Sequence, residues 1–413
     1  MNTFTILFLS LLALMLLTQV WLAQRHIRHV VRRRRAVPRA FAGKITLKAH
    51  KKAADYTVAR TRFGRTEDIF SAVILLVWTL GGGLEWLDRF WRGYGWDNLA
   101  TGTVFMLSVF LIMSILDLPA SVYRTFVLEQ RFGFNRSTPT LFAVDLIKKI
   151  LLMFLLVTPL IMAVLWLMQK MGTWWWLYVW GLWMGFSLFM VWAYPILIAP
   201  LFNRFKPLKR GTVRKRLVGL LRRTGFRSRG IFVMDSSKRT AHGNAYFTGF
   251  GKNKRIVFFD SLLKTLREKE VEAVVAHELG HFKLKHVVKR MALMASMSLA
   301  GLALLGWLIN QAWFYSGLGI TQPSAHAALT LFMLVGPVFI FFLHPVFARG
   351  SRKHEFEADG FAAEQADARA LVSALTKLYK ENASTLTPDP LHSAFYDSHP
   401  PAPVRIARLL GKT

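Results

Sequence analysis

The chain has 413 residues, 53% of them apolar and 19% charged, and 54 Lys plus Arg against 23 Asp plus Glu leave a formal net charge of +31. Its 28 glycines raise the apolar share to about 60%, against about 45–50% in ordinary soluble domains, which excludes disorder and points away from a soluble protein. There is no cysteine, so disulfides, thiolate metal ligands and a cysteine nucleophile are excluded together, and any metal site must use His, Asp or Glu.

Charge-free apolar runs organise the chain, and a helix needs about 20 such residues to cross a bilayer. In chain order they fall at 3–24, 69–84, 98–116, 150–169 and 171–203, with two more inside 291–348. That last stretch holds 58 residues without Asp, Glu, Lys or Arg, and Gly317, Gly319 and Pro323 mark the turn that divides it. Seven spans are therefore expected. The run at 69–84 is the shortest and ends in Gly81, Gly82 and Gly83, so a buried or re-entrant segment is the alternative there.

Alternate loops should be basic if this count is right. The loops at 25–68, 117–149 and 204–290 and the tail after 348 hold 51 of the 54 Lys and Arg, and without the long 204–290 loop the division is still 28 against three. The N-terminus is then outside and the C-terminus inside. The first run lacks a basic leader, and Arg25, Arg28 and Arg32 to Arg35 follow it, as in an outward-facing anchor rather than a cleaved signal. Positive-inside asymmetry and attraction to anionic membrane lipids account for the charge, so no nucleic-acid partner is expected.

The hydrophilic segment 204–290 reads as a folded inside domain. Residues 214–223 form a basic amphipathic helix, expected at the membrane surface. Residues 231–235, 244–250 and 255–260 are short β-prone runs, with a turn at 251–253. A longer helix is expected over 268–289, with Val271, Val274, Val275 and Leu279 on its apolar stripe.

That helix carries His277-Glu278-Leu279-Gly280-His281, an HExxH. The i, i+4 spacing puts both imidazoles on one face within reach of a single Zn²⁺, and Glu278 can address water there as a general base. A metzincin would continue with a glycine and a third histidine where Leu284 and Val287 stand. An intramembrane peptidase would bury the motif in an apolar span, yet Glu268, Lys269, Glu270, Glu272, Lys283 and Lys285 flank it. What remains is a glutamate from a later helix. Glu355, in the run 351–359, is the candidate, and Glu355 and Asp359 are again i, i+4, so one carboxylate can bind metal while the other holds a ligand histidine.

HELGH, SRKHEFEAD followed by FAA, AHGNAYFTGFGKNKRIVFFD, YPILIAPLFNRFKPL, FGFN at 132–135 and DPLHSAFYDSHPPAPVR, in order over about 120–410, together resemble the zinc-dependent type I CAAX prenyl proteases. The resemblance implies a mainly α, polytopic membrane protein. Seven transmembrane helices would enclose a water-filled chamber, with a zincin-like metallopeptidase domain containing a small β-sheet near the inner leaflet. Residues 1–205 would form a membrane domain with five spans, and 206–413 the peptidase domain with spans six and seven. It also implies one Zn²⁺ per chain on His277, His281 and Glu355, with Glu278 as catalytic base. Asn244 would bind substrate main chain, and His399 and Arg405 would stabilise the tetrahedral intermediate or order the site. Glu357 departs from the family, which more often has Gln there, and Thr248 and Gly251 replace bulkier residues.

The expected substrate is a peptide or protein, prenylated or membrane-embedded, either processed at its C-terminus or cleared as a damaged membrane protein. The chain is expected to be a monomer. Its moderate length and a tail without a dilysine signal favour a bacterial inner membrane over the endoplasmic reticulum. A transporter or scaffold with a structural zinc is the non-enzymatic alternative, but it has no use for Glu278. Of the remaining histidines, His286 is expected at a surface or interface, and His354 to point away from the metal. His26, His29 and His50 belong to the basic loop, and His242 and His392 are candidates for lining the chamber.

Overall fold

The structure, a computed structural model, describes residues 2–249 and 254–411; the expected turn at 251–253, with Gly251, lies outside them. Among the described residues six helices are long and apolar enough to cross a membrane: Thr3–Arg33, Asn98–Glu129, Pro139–Lys170, Gly172–Phe202, His286–Leu308 and Ala325–Gln365. At the seventh expected span, Leu47–Trp78 and Gly83–Arg92 pass the same test only as a pair bent by 46°, the geometry of a broken span or of the re-entrant alternative. The break falls where Gly82 takes a φ of +79°, a left-handed conformation open to glycine, and the backbone of Val77 and Trp78 crowds its neighbours Gly81 and Gly83. Most of the expected basic loop 25–68 is helical, so His26 and His50 are buried on helices rather than lying in a loop.

Among the described residues two large cores stand beside a small cluster of Ala53, Tyr56, Leu128, Phe134 and Ala383. In the membrane part Phe8, Phe105, Leu165, Leu305 and Leu331 pack together, and Trp175 turns into this core while Trp174 stays exposed as an interfacial anchor would. The second core lies in the peptidase part, around Leu217, Phe258, Val275, Leu279 and Leu371. The helix Thr212–Arg223, expected to lie on the membrane surface, instead buries Leu217 and Leu220 in this second core. Arg216 and Arg223 anchor it by pairing with Glu272.

The small sheet has four strands, β1 (Phe205–Pro207), β2 (Gly230–Met234), β3 (Ala245–Thr248) and β4 (Arg255–Phe259), in the order β1-β2-β4-β3. Only β2 and β4 are parallel, and β3 forms an edge. β1, three residues beginning two after the apolar run 171–203, carried no strand signal of its own and is held by pairing with β2.

The single helix expected over 268–289 is two helices, Glu268–Lys283 and His286–Leu308. Lys285 breaks it with a φ of 58°, a left-handed conformation rare for a residue with a side chain. A cavity of about 780 Å³ is lined by residues of both the membrane and the peptidase parts. His26, Tyr56, Arg65, His242, His392 and His399 are among its lining residues, so the two histidines expected in a chamber wall are there.

Candidate metal centre

His277 and His281 project from one face of the helix Glu268–Lys283, as their spacing requires. The helix His344–Gln365 brings Glu355 to them, and the ligand atoms of the three residues all lie within 4.8 Å of one another. Glu355 Oε2 is 3.4 Å from His277 Nε2, and Glu355 Oε1 is 3.3 Å from His281 Nε2. The two helices approach closely at Gly280, where an added Cβ would stand 3.0 Å from the Cα of Ala358.

Each residue is held from behind. Asp359 Oδ1 accepts from His277 Nδ1 at 2.9 Å, which leaves Nε2 free to ligate. Arg405, buried, grips the same carboxylate by Nε at 2.8 Å and Nη2 at 2.6 Å, and its Nη1 lies 3.4 Å from Glu355 Oε2. His399 is exposed, with Nδ1 2.8 Å from Glu355 Oε2. Its loop is fixed by Arg352, which donates to the carbonyls of Ser393 at 3.2 Å and Asp397 at 2.8 Å. Beyond the loop, the hydroxyl of Tyr379 accepts from the Ala402 N–H at 3.1 Å.

The donor set fits a divalent cation such as zinc. Glu355 Oε2 is buried, and the nitrogens around it are not aligned to donate a hydrogen bond to it. Burial works against protonation of His277, yet the carboxylates of Asp359 and Glu355 beside it carry it up to about 9. Burial also pushes the Glu278 carboxyl up from its ordinary value, against the pull of the two histidines.

Asn244 is exposed at the start of edge strand β3, with its carbonyl accepting from the Phe259 N–H at 2.9 Å. The strand is pinned beside the HExxH helix by Phe247, whose ring lies 5.4 Å from that of Phe282, the residue after His281. His286 departs from expectation: it is buried, and its Nδ1 sits 3.0 Å from His281 Nδ1. Five positions after His281 it is out of helical phase, and only the turn at Lys285 folds it back. His354 is outside the cluster of His277, His281 and Glu355 and stacks on His286. Gly280 and His286 were both printed in the sequence, but their value depends on contacts with a distant helix.

A multi-pass helical bundle carrying an HExxH helix crossed by a glutamate-bearing helix is the architecture of an integral-membrane metallopeptidase. Comparison with known proteins gives the family. Residues 26–204 match the CAAX prenyl protease N-terminal region with five membrane helices, and residues 207–413 match peptidase family M48. The chain is 35% identical to the CAAX prenyl protease 1 homolog of Arabidopsis thaliana, over 91% of each protein. It is 30% identical to the one of Homo sapiens, over 95% of this chain and 92% of the relative. The crystal structure of S. mikatae Ste24p superposes with a TM-score of 0.91 at 27% identity, over 99% of both chains. The chain belongs to the M48 CAAX prenyl protease family and is an integral-membrane metalloprotease, as the sequence motifs anticipate.

Proposed function

We propose that the metal is one Zn²⁺, held by His277, His281 and Glu355, and that the enzyme is an endopeptidase acting near the C-terminus of prenylated, membrane-associated proteins. The convergence of two imidazole Nε2 atoms and one buried carboxylate is the observation that carries this reading. When bound, zinc supplies a Lewis acid that polarises the scissile carbonyl and makes water nucleophilic near neutral pH.

The chain's own residues supply the rest. Glu278, beside a ligand and raised by burial, takes the proton of the attacking water and passes it to the leaving amine. His399, exposed on the cavity wall, donates to the developing oxyanion, while Arg405 holds Asp359 and Glu355 in place. An extended peptide adds to the free edge of β3 beside Asn244, a pairing through main chain that tolerates many side chains. The cavity between the two parts admits the peptide, and the enzyme acts as a monomer among membrane lipids, which cover exposed side chains such as Leu151, Leu155 and Val346. Residues 1–205 and 206–413 serve as membrane and peptidase domains, with the basic loops and the peptidase part on the inner side of the membrane. The prenylated substrate class is the one that the relatives' names carry.

The test is to offer the purified protein a farnesylated CAAX peptide, its unprenylated form and an unfolded membrane protein. Preferred cleavage of the farnesylated peptide supports C-terminal processing. Preferred cleavage of the unfolded protein refutes it and favours clearance.

A further inference from the structure

We propose that His286 and Glu357 form a relay that positions the zinc ligand His281, so that each metal histidine is backed by its own carboxylate. The proposal rests on the reading of His277, His281 and Glu355 as zinc ligands.

The two ligand histidines are supported differently. His277 Nδ1 meets Asp359 directly, at 2.9 Å. His281 has no carboxylate on Nδ1; instead its Nδ1 lies 3.0 Å from Nδ1 of His286, and the opposite nitrogen of that ring, Nε2, lies 2.8 Å from Glu357 Oε2. With His281 Nε2 given to the metal, its Nδ1 carries the proton and donates to His286 Nδ1. His286 is then protonated on Nε2 and donates to Glu357. One chain of donors thus fixes the tautomers of both rings.

Three features hold His286 in this position. The left-handed Lys285, with its φ of 58°, ends the HExxH helix and swings the next residue back over His281; a continued helix would put that residue about 140° round the axis. Strain of this kind at a functional site persists only where the surroundings enforce it. His286 is buried, at 4% exposure, and His354 lies flat on it at 4.1 Å between ring centres. His354 and Glu357 are i, i+3 on one helix face, so a single turn supplies both the stacking ring and the terminal acceptor.

The same His286, His354 and Glu357 also have ligand atoms within 4.8 Å of one another. A second cation there is disfavoured because the two imidazole planes are only 12° apart and their lone pairs run parallel rather than converging, and because His286 Nδ1 already faces His281.

The experiment measures zinc affinity of the full-length, detergent-solubilised protein by chelator competition, with zinc stoichiometry and the absorption spectrum of the Co²⁺-substituted protein alongside. His286→Phe and Glu357→Leu should each weaken zinc by about 10–100-fold, the usual effect of losing a partner behind a ligand, and shift the Co²⁺ bands. Glu357→Gln keeps an oxygen to accept from His286 and should stay close to wild type. If His286→Phe fails to fold, Glu357→Leu, at a side chain 34% exposed, carries the test. Wild-type affinity in both variants overturns the relay. So does a stoichiometry of two zinc ions that falls to one in His286→Phe, because His286 would then be a ligand. Loss of zinc in His277→Ala and Glu355→Ala verifies the underlying site separately; retention in those two refutes the ligand assignment and not merely the relay.

Discussion

Gly280 lies against the backbone of Ala358, and a Cβ at position 280 would stand 3.0 Å from the Cα and 3.2 Å from the carbonyl oxygen of that residue. The glycine of HELGH therefore sets the separation of the two helices that carry the ligands, and the distance from Glu355 to the histidines depends on it. Gly280→Ala should cost about 1–3 kcal/mol of stability by overpacking and weaken metal binding as Glu355 is pushed away. Ala358→Gly should not rescue it, because the obstructing atoms are main chain. Melting temperature and zinc affinity of the single and double variants check this; unchanged zinc affinity in Gly280→Ala would show that the site tolerates the separation.

Glu278→Gln should lower peptide hydrolysis by roughly 10²–10⁴-fold with zinc still bound, since the residue adjoins a ligand without being one. Metal content and cleavage are to be measured on one preparation. Near-wild-type activity removes Glu278 from the base role, and loss of metal makes it a ligand.

Glu355→Ala should lose zinc outright. Asp359→Asn should weaken it by about 10–100-fold, because the amide holds His277 and Arg405 less firmly than the carboxylate that accepts from both. Equal loss in the two variants would mean that Asp359 ligates the metal directly.

Asn244→Ala and His399→Ala should fail in different ways. Asn244 sits beside the edge strand and is placed to touch substrate in ground and transition states alike, so KM should rise with a smaller change in kcat. In the proposed role His399 serves an oxyanion that forms only in the transition state, so kcat should fall by roughly 10²–10³-fold with KM little changed. Indistinguishable kinetic defects would refute this division of roles.

The absence of cysteine makes topology directly measurable, since any introduced thiol is the sole one. Gln322 lies in the turn between the last two spans and Lys238 in the peptidase part, and both are exposed. In sealed, oriented vesicles with the native outside facing out, Gln322→Cys should react with an impermeant maleimide and Lys238→Cys should not. The reverse order would invert the proposed orientation.

Local periodicity carried most of what was legible in the sequence. Seven apolar runs became six long helices and one bent pair, because backbone hydrogen bonds in a bilayer must be closed within each segment. The spacing of His277 and His281 fixed their common face, since four residues are one helical turn whatever surrounds them. Even Glu355 and Asp359 could be paired, by the same spacing on a second helix.

Tertiary structure alone decided what depends on distant packing. That a particular carboxylate oxygen meets each histidine follows from the fit of Gly280 on Ala358, a contact between residues far apart in sequence. His286 reads as an out-of-phase surface histidine until Lys285 adopts a left-handed backbone and turns it inward beneath His354. The helix Thr212–Arg223 is expected on the membrane surface, yet pairing with Glu272 and burial of Leu217 and Leu220 turn its apolar stripe into the second hydrophobic core. A repeating pattern records which face of an element is buried; which partner covers that face is set by the whole fold, because burial is non-directional and only close packing distinguishes one apolar neighbour from another.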